Sequence, residues 1–227
     1  MTMHRDVHRV LLGIEKKFAD LRGKGVYSGF SDRHHCIFIH IPKTAGSAVA
    51  SSLFGERSRH DPWYVYQMVN ARKFASYFKF AFVRNPWDRV VSSFEYLHAG
   101  GNDPEDRAWA EKHLAGYPDF ATFVRGWLTL QNARTWMHFI PQTDYIFDPA
   151  DKLMVDFLGR YENLSEDFRD LADRFKPAAR LETVNESRHA PFATYYDAET
   201  AEIVRRVYAR DVELLGYAGS APGAHSR

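Results

Sequence analysis

The sequence predicts an α/β protein with a single domain and a central, mostly parallel sheet flanked by helices. An apolar run over residues 36–41, rich in β-branched and aromatic side chains, stops at a proline. After a short polar loop, apolar residues recur at the spacing of a helix. A second apolar run over residues 80–83 also leads into a helix, and a third over residues 154–157 precedes one. Buried strands that alternate with helices are typical of parallel sheets.

Length and composition describe an ordinary globular protein and exclude several function classes. The 227 residues are 45% apolar and 26% charged, which suits one domain with a sizeable core. A formal net charge of +1 gives no bulk attraction to nucleic acid or to an anionic membrane. No apolar run reaches the ~18 residues of a membrane span, and no secretory signal is visible, so we expect a cytoplasmic protein. The one cysteine, Cys36, excludes an internal disulfide and is interpreted as a buried apolar residue.

Ahead of the first strand, apolar residues recur at helical spacing and end before two glycines. They predict an amphipathic helix that packs on the domain or, alternatively, binds a partner or a second copy of the chain. The apolar positions are Val7, Val10, Leu11, Ile14, Phe18 and Leu21. We therefore expect a lead-in over residues 1–35, a domain over 36–217, and a small polar tail over 218–227 that is disordered.

The turn after the first strand is a candidate phosphate-binding loop. It reads KTAGS from Lys43 to Ser47, small and hydroxylated apart from the lysine, and Ala48 continues into the helix. A strand, a tight loop and a helix aim backbone N–H groups at an anion, and the lysine adds a full positive charge. The order differs from the nucleotide-binding P-loop G-x-x-x-x-G-K-[ST], because here the lysine precedes the only glycine. The alternative for this segment alone is a plain turn with a solvated lysine.

The second strand leads into RNPWDRVVSS, a candidate site for a second phosphate. Arg84 stands at the carboxyl end of the strand, where open α/β sheets bind ligands. Asn85 suits a helix cap and Pro86 suits the first helical position, which puts Ser92 two helical turns further on. The arginine and the serine could bind one phosphate together.

The two segments HIPKTAGS and FAFVRNPWDRVVSSF resemble the sulfotransferases that use 3′-phosphoadenosine 5′-phosphosulfate (PAPS). The family-2 type, which includes Golgi carbohydrate sulfotransferases and many bacterial relatives, is the most similar. Weaker similarity at residues 155–164 and 185–188 extends the resemblance over about residues 36–217. It implies a P-loop-like sulfotransferase fold, PAPS as the sulfuryl donor, and a hydroxyl acceptor that is a carbohydrate or glycolipid.

The resemblance also assigns roles to residues. In the family, the first loop holds the 5′-phosphosulfate and the second holds the 3′-phosphate, and a later basic loop covers the nucleotide. The implied donor-binding residues are Lys43, Thr44, Ala45, Gly46, Ser47 and Ala48 in the first loop, Arg84 and Ser92 in the second, and Ser187 and Arg188 in the later loop. Lys43 is also the expected electrostatic catalyst.

A catalytic base is expected between the two phosphate segments. Transfer to a hydroxyl needs a base near the acceptor oxygen, and imidazole is suited to that task. Family-2 relatives have a base histidine in this interval, where His60 is the only histidine of this chain. Glu56 is the substitute, because some other carbohydrate sulfotransferases use glutamate. The alternative for His60 is a surface histidine beside two charged neighbours.

The rest of the chain is read from periodicity and turn residues. Helices are expected over residues 63–78, 119–127, 131–139, 165–175 with Ser165 as cap, and 197–216, and strands over 145–147 and 154–157. Residues 99–118 form a long excursion with a short helix, either a solvated loop or a lid and acceptor wall. The tryptophans of residues 109–136 look like a sugar-stacking surface, but aromatics at helical spacing favour a core.

The eleven histidines give no metal-binding pattern, so we expect no metal. Two other classes stay open beside the sulfotransferase. An ATP-dependent small-molecule kinase is disfavoured by the missing P-loop order, and a non-catalytic nucleotide-binding protein by the lysine and histidine described above. Neither the identity of the acceptor nor the oligomeric state is predicted by the sequence.

Overall fold

A computed structural model describes residues 15–17, 19–20, 22, 24–176, 179–181 and 190–223. The apolar positions of the predicted N-terminal helix, and the candidate contacts Ser187 and Arg188, lie outside the described residues. The described elements alternate between strands and helices as the sequence predicts. In chain order they are α1 (Phe30–His34), β1 (Cys36–Ile39), α2 (Gly46–Phe54), α3 (Trp63–Val69), α4 (Ala71–Ser76), β2 (Phe78–Val83), α5 (Pro86–His98), α6 (Pro104–His113), α7 (Phe120–Gly126), α8 (Leu130–Ala133), α9 (Thr143–Ile146), β3 (Phe157–Arg160), α10 (Leu164–Phe175), α11 (Ala198–Val207) and α12 (Ala209–Leu214).

The chain divides into two compact units. Described residues within Met1–Ile41, Ala45–Val83 and Asp144–Val184 form the first unit, and those within Pro42–Thr44, Arg84–Thr143 and Asn185–Arg227 form the second. The predicted boundaries at residues 35 and 217 stay a prediction.

The first unit holds a three-stranded parallel sheet in the order β1-β2-β3, which confirms the α/β class. Side chains alternate across each strand, so Cys36 and Phe38 share one face with Phe80 and Phe82 of β2. This face packs against the apolar sides of α2 and α10 and forms the core of the unit. Cys36 is fully buried there, and burial raises the pKa of its thiol to about 12.

The second unit is helical and has an aromatic core. Trp109 stacks on Trp136 with ring centroids 5.4 Å apart and meets Trp127 edge-on at 5.2 Å. Trp109 and Trp127 are buried, so the core interpretation is correct for these two residues. Asn85 caps α5 as predicted and accepts from the amides of Trp87 and Asp88. Asp119 and Asp197, the predicted first residues of two other helices, are their caps: Asp119 accepts from Thr122, and Asp197 forms a capping box with Thr200.

Several predicted elements are wrong in type or in bounds. Tyr145 and Ile146 lie in the helical turn α9, because the carboxylate of Asp211 accepts the amides of Gln142 and Thr143 and so fixes a helix start. Phe147 makes only an isolated bridge to Leu153, and the strand expected at residues 154–157 begins at Phe157. The helix over 63–78 breaks at Asn70, that over 131–139 ends at Ala133, and α10 begins at Leu164, so Ser165 is not its cap.

Candidate active site

The loop after β1 has a strained backbone at two residues. Lys43 has a φ of 70° and Ala45 a φ of 65°, both in the left-handed region that side chains with a Cβ rarely adopt. Each such residue costs on the order of 1 kcal/mol or more, and such strain clusters where a chain clamps a ligand. Ala45 is the N-cap of α2, and its side chain accepts no hydrogen bond from the first-turn amides. The helix start therefore presents backbone donors of the kind that bind anions.

In the second unit, Lys43 is half-buried among charged residues. Its Nζ atom lies 4.0 Å from the centre of the Tyr96 ring, in a cation–π contact. The pKa of Lys43 is lowered to about 8. Burial is the largest cause, the positive charges of Arg84 and Arg89 also lower the pKa, and the negative charge of Asp106 opposes them. The ammonium group is thus weakly hydrated and can release its proton near neutral pH.

Arg84 is buried, and both its side chain and its backbone form hydrogen bonds. Its Nε atom donates to Asp88 at 2.7 Å, and its Nη1 atom donates to the carbonyl oxygen of Lys43 at 3.3 Å. The side chain of Gln142 accepts from the Arg84 amide and donates to the Arg84 carbonyl, both at 2.8 Å. The guanidinium is therefore oriented toward the backbone of the lysine.

Arg89 supports the same segment from α5. It is buried, donates from Nε to the carbonyl oxygen of Pro42 at 2.9 Å, and donates from Nη1 to that of Ile140 at 2.9 Å. The hydroxyl-bearing residues Thr44 and Ser92 are also buried. The second unit therefore contains Lys43, Thr44, Arg84 and Ser92 of the predicted donor-binding set.

In the first unit, two histidine rings lie together. The ring centroids of His40 and His60 are 4.1 Å apart, and Nδ1 of His60 lies 2.9 Å from the carbonyl oxygen of His40. Because a carbonyl oxygen only accepts, Nδ1 of His60 carries the proton, and Nε2 of the neutral ring holds the basic lone pair. Ser58 contacts Nδ1 of His40 at 2.7 Å and fixes the first ring in turn.

Glu56, the substitute base, is occupied in a structural contact. Its carboxylate accepts the amide of Phe30 at 3.2 Å and forms an ion pair with Arg33. These contacts tie α2 to α1, so a structural role explains the glutamate well. The choice of His60 as the base, with Glu56 as its substitute, stays a prediction.

Gly46 is required by the close approach of His40. A Cβ atom at this position would lie 2.0 Å from Cδ2 of His40, which no side chain can occupy. Ser47 is exposed and Ala48 is half-buried in the first turn of α2. The glycine thus lets the helix start pack directly on the imidazole.

A comparison with known families decides the identity. A model of the sulfotransferase family, of the family-2 type, matches residues 29–218, which is most of the chain. The chain belongs to the sulfotransferase family. An uncharacterized protein of Archaeoglobus fulgidus is 31% identical to this sulfotransferase over 107 residues, which are 46% of this chain and 72% of that protein. No solved structure matches.

Family membership makes the protein a transferase of sulfuryl groups. Within the described parts of the chain, no group of three potential metal-ligating side chains is found. No helix in those parts is both long and apolar enough to cross a membrane.

Several contacts around this sulfotransferase's lysine were not anticipated by sequence. Tyr96, Asp106, Arg89 and His138 are not among the site residues that the sequence predicts. No local sequence motif marks these residues, because the residues that they contact are distant in the sequence. The histidine before the loop, His40, stands inside the HIPKTAGS segment and could have been found from its position.

Proposed function

We propose that this sulfotransferase transfers the sulfuryl group of PAPS to a hydroxyl group, most readily that of a carbohydrate or glycolipid. The observation that carries the proposal is Lys43, a half-buried lysine of lowered pKa in a strained loop between a strand and a helix start without a side-chain cap. A cytoplasmic location and the carbohydrate acceptor rest on the sequence alone and are part of the proposal.

The cationic and hydrogen-bond-donating groups of these residues suit PAPS, which is anionic at its 5′-phosphosulfate and at its 3′-phosphate. The 5′-phosphosulfate would be bound by Lys43, Thr44 and the amides of residues 45–48, since left-handed loop residues and helix starts are anion-binding backbone. Arg84 and Ser92 would bind the 3′-phosphate, which distinguishes PAPS from ATP. The fixed orientation of Arg84 by Asp88 and Gln142 supports this assignment.

PAPS would supply an activated sulfuryl group on a phosphate leaving group. Lys43 would stabilise the negative charge that grows on the bridging oxygen and could donate a proton to it, a task suited to its lowered pKa. Nε2 of His60 would accept the proton of the acceptor hydroxyl, because Nδ1 is occupied by its hydrogen bond to a carbonyl. Positioning and charge stabilisation supply most of the rate in the related case of phosphoryl transfer.

The proposal is tested by calorimetric titration with adenosine 3′,5′-bisphosphate, with ADP as control and without metal. We expect binding of the bisphosphate in preference to ADP, and loss of that binding in Arg84→Ala. Arg205→Ala is the matched control, because Arg205 is an exposed arginine whose side chain forms an ion pair with Glu202. Binding of ADP in preference, or of neither nucleotide, would overturn the sulfotransferase mechanism described here and favour a kinase or a non-catalytic protein.

A further inference from the structure

The ammonium group of Lys43 lies on a ring that is itself fixed by two hydrogen bonds. The hydroxyl of Tyr96 donates to Oδ2 of Asp106 at 2.7 Å and accepts from the amide of Asn102 at 2.9 Å. A phenol that donates to a carboxylate is oriented and has increased electron density in its ring, which favours a cation on the ring face. The ring below Lys43 is therefore held by the segment that follows α5.

That segment brings Asp106 to the ring through a specific turn. Gly100 and Gly101 have φ values of 92° and 63°, and a Cβ on Gly101 would lie 2.4 Å from Cβ of Asp106. Asp103 then caps α6 by accepting the amide of Asp106 at 2.9 Å. The excursion over residues 99–118, for which the sequence leaves two roles open, thus places the buried carboxylate of Asp106 beside the hydroxyl of Tyr96.

The second oxygen of this carboxylate is bound by His138. Nε2 of His138 lies 2.9 Å from Oδ1 of Asp106, and both residues are buried. Nδ1 of His138 is buried and finds no hydrogen-bond partner among the described residues. Because a carboxylate oxygen only accepts, Nε2 of His138 carries the proton of this contact and donates it to Asp106.

We propose that Tyr96, Asp106 and His138 are positioning residues that fix the ammonium group of Lys43 at the phosphate loop. The proposal rests on the function proposed above, in which that ammonium stabilises the leaving group. In this arrangement the phenol ring carries the cation, the carboxylate supplies the compensating charge, and the imidazole holds the carboxylate in place.

The charges around Lys43 support the assignment. Arg84 and Arg89 add positive charge near the ammonium of Lys43. The carboxylate of Asp88 forms an ion pair with Arg84. Asp106 is the carboxylate that raises the pKa of Lys43. Burial raises the pKa of Asp106, but hydrogen bonds from His138 and Tyr96 outweigh burial and leave it below its ordinary value. The aspartate is thus already ionised at the pH at which the lysine loses its proton.

The experiment is a pH titration of Lys43 by two-dimensional NMR of protein labelled with ¹³C-lysine, with the resonance assigned through Lys43→Arg. We expect the pKa of Lys43 to fall by about one unit in Asp106→Asn, because a nearby opposite charge is removed. Tyr96→Phe keeps the ring and loses the link to the carboxylate, so a smaller fall is expected. The alkaline limit of turnover should shift in the same direction and by the same amount.

Glu105→Gln is the matched control, since it removes an exposed carboxylate from the same helix turn. An unchanged pKa of Lys43 in Asp106→Asn, or an equal change in Glu105→Gln, overturns the proposal. If Asp106→Asn fails to fold, the same comparison is made with Tyr96→Phe and His138→Asn. The titration needs neither donor nor acceptor, so its failure is distinct from a failure to bind adenosine bisphosphate.

Discussion

At the scale of single residues, the proposed chemistry depends on Lys43 and His60, and each has an environment that specifies one reactive form. The ammonium of the half-buried lysine lies on an aromatic ring. Burial and the positive charges of two arginines lower its pKa to about 8. The histidine donates from Nδ1 to a backbone carbonyl, which leaves Nε2 as its basic atom. The lysine therefore leads to a prediction about the pH dependence of turnover, and the histidine to one about the effect of its replacement.

Turnover should fall as the pH rises through about 8, the pKa of Lys43. The protonated form is the active one, it predominates below that pH, and its fraction falls about tenfold per pH unit above it. The measurement is the initial rate of ³⁵S transfer from labelled PAPS between pH 6 and 10. A rate that stays constant to pH 10 would exclude Lys43 as the required cation, and Lys43→Met should remove the activity at every pH.

His60→Ala should lower turnover by about 10²–10⁴-fold, the range for loss of a general base, and leave bisphosphate affinity unchanged. Glu56→Gln should keep the rate, because the glutamate binds Phe30 and Arg33 in a structural contact. Turnover and calorimetry on both variants check this. If the two variants show the opposite pattern, the base is Glu56.

At the scale of elements, the start of α2 and the segment before α5 each depend on one residue whose replacement should lower the stability of the fold. Gly46 leaves room for the imidazole of His40, and Gln142 binds both backbone groups of Arg84. Both arrangements give a prediction about folding stability.

Gly46→Ala should lower the free energy of unfolding by about 1–3 kcal/mol, the usual cost of inserting an atom into a packed site. The new Cβ would meet His40, whose ring is stacked on Phe38 and has little room to move. Gly116→Ala is the control, since no atom lies within 4 Å of a Cβ there. Urea unfolding of the two variants gives the difference, and equal stabilities would contradict the packing argument.

Gln142→Ala should cost about 1–3 kcal/mol for each buried backbone group left without a partner, and it should also weaken bisphosphate binding. Both effects arise because the Arg84 amide and carbonyl lose their hydrogen bonds. Gln131→Ala, at an exposed position, is the comparison. A destabilised variant with full bisphosphate affinity would separate the stability role from the positioning of Arg84.

How far the sequence predicted these elements depended on whether their determinants are local. The first two strands and the caps Asn85, Asp119 and Asp197 follow from neighbouring residues and are confirmed. The strand predicted at residues 145–147 is wrong because Asp211, far along the chain, holds the amides that start a helical turn. A three-residue apolar run fits either structure, and a distant carboxylate decides between them.

At the scale of the whole molecule, family and fold class follow from two short segments, whereas the surroundings of Lys43 do not. The loop and strand residues lie within continuous segments that the sequence displays in order. Tyr96, Asp106 and His138 meet only after α5, α6 and the following helices have packed. The strand, loop and helix start around Lys43 could thus be predicted, but the contacts that support the lysine could not.

Removal of metal should leave activity intact, a prediction that concerns the protein as a whole. A sulfuryl group carries less charge than a phosphoryl group, so protein cations can replace the magnesium that kinases require. Transfer from PAPS in the presence of EDTA is the test. Activity that disappears with the chelator and returns with Mg²⁺ would contradict it.

The single cysteine has a practical consequence. Its thiol is buried in β1 and its pKa is raised to about 12, so it is both shielded from reagents and rarely ionised at neutral pH. A cysteine introduced at an exposed position such as Lys112 would be the one reactive thiol of the chain. A fluorophore or spin label can therefore be attached at one chosen place without first replacing a native residue, and the protein's motions can be followed in its natural sequence background.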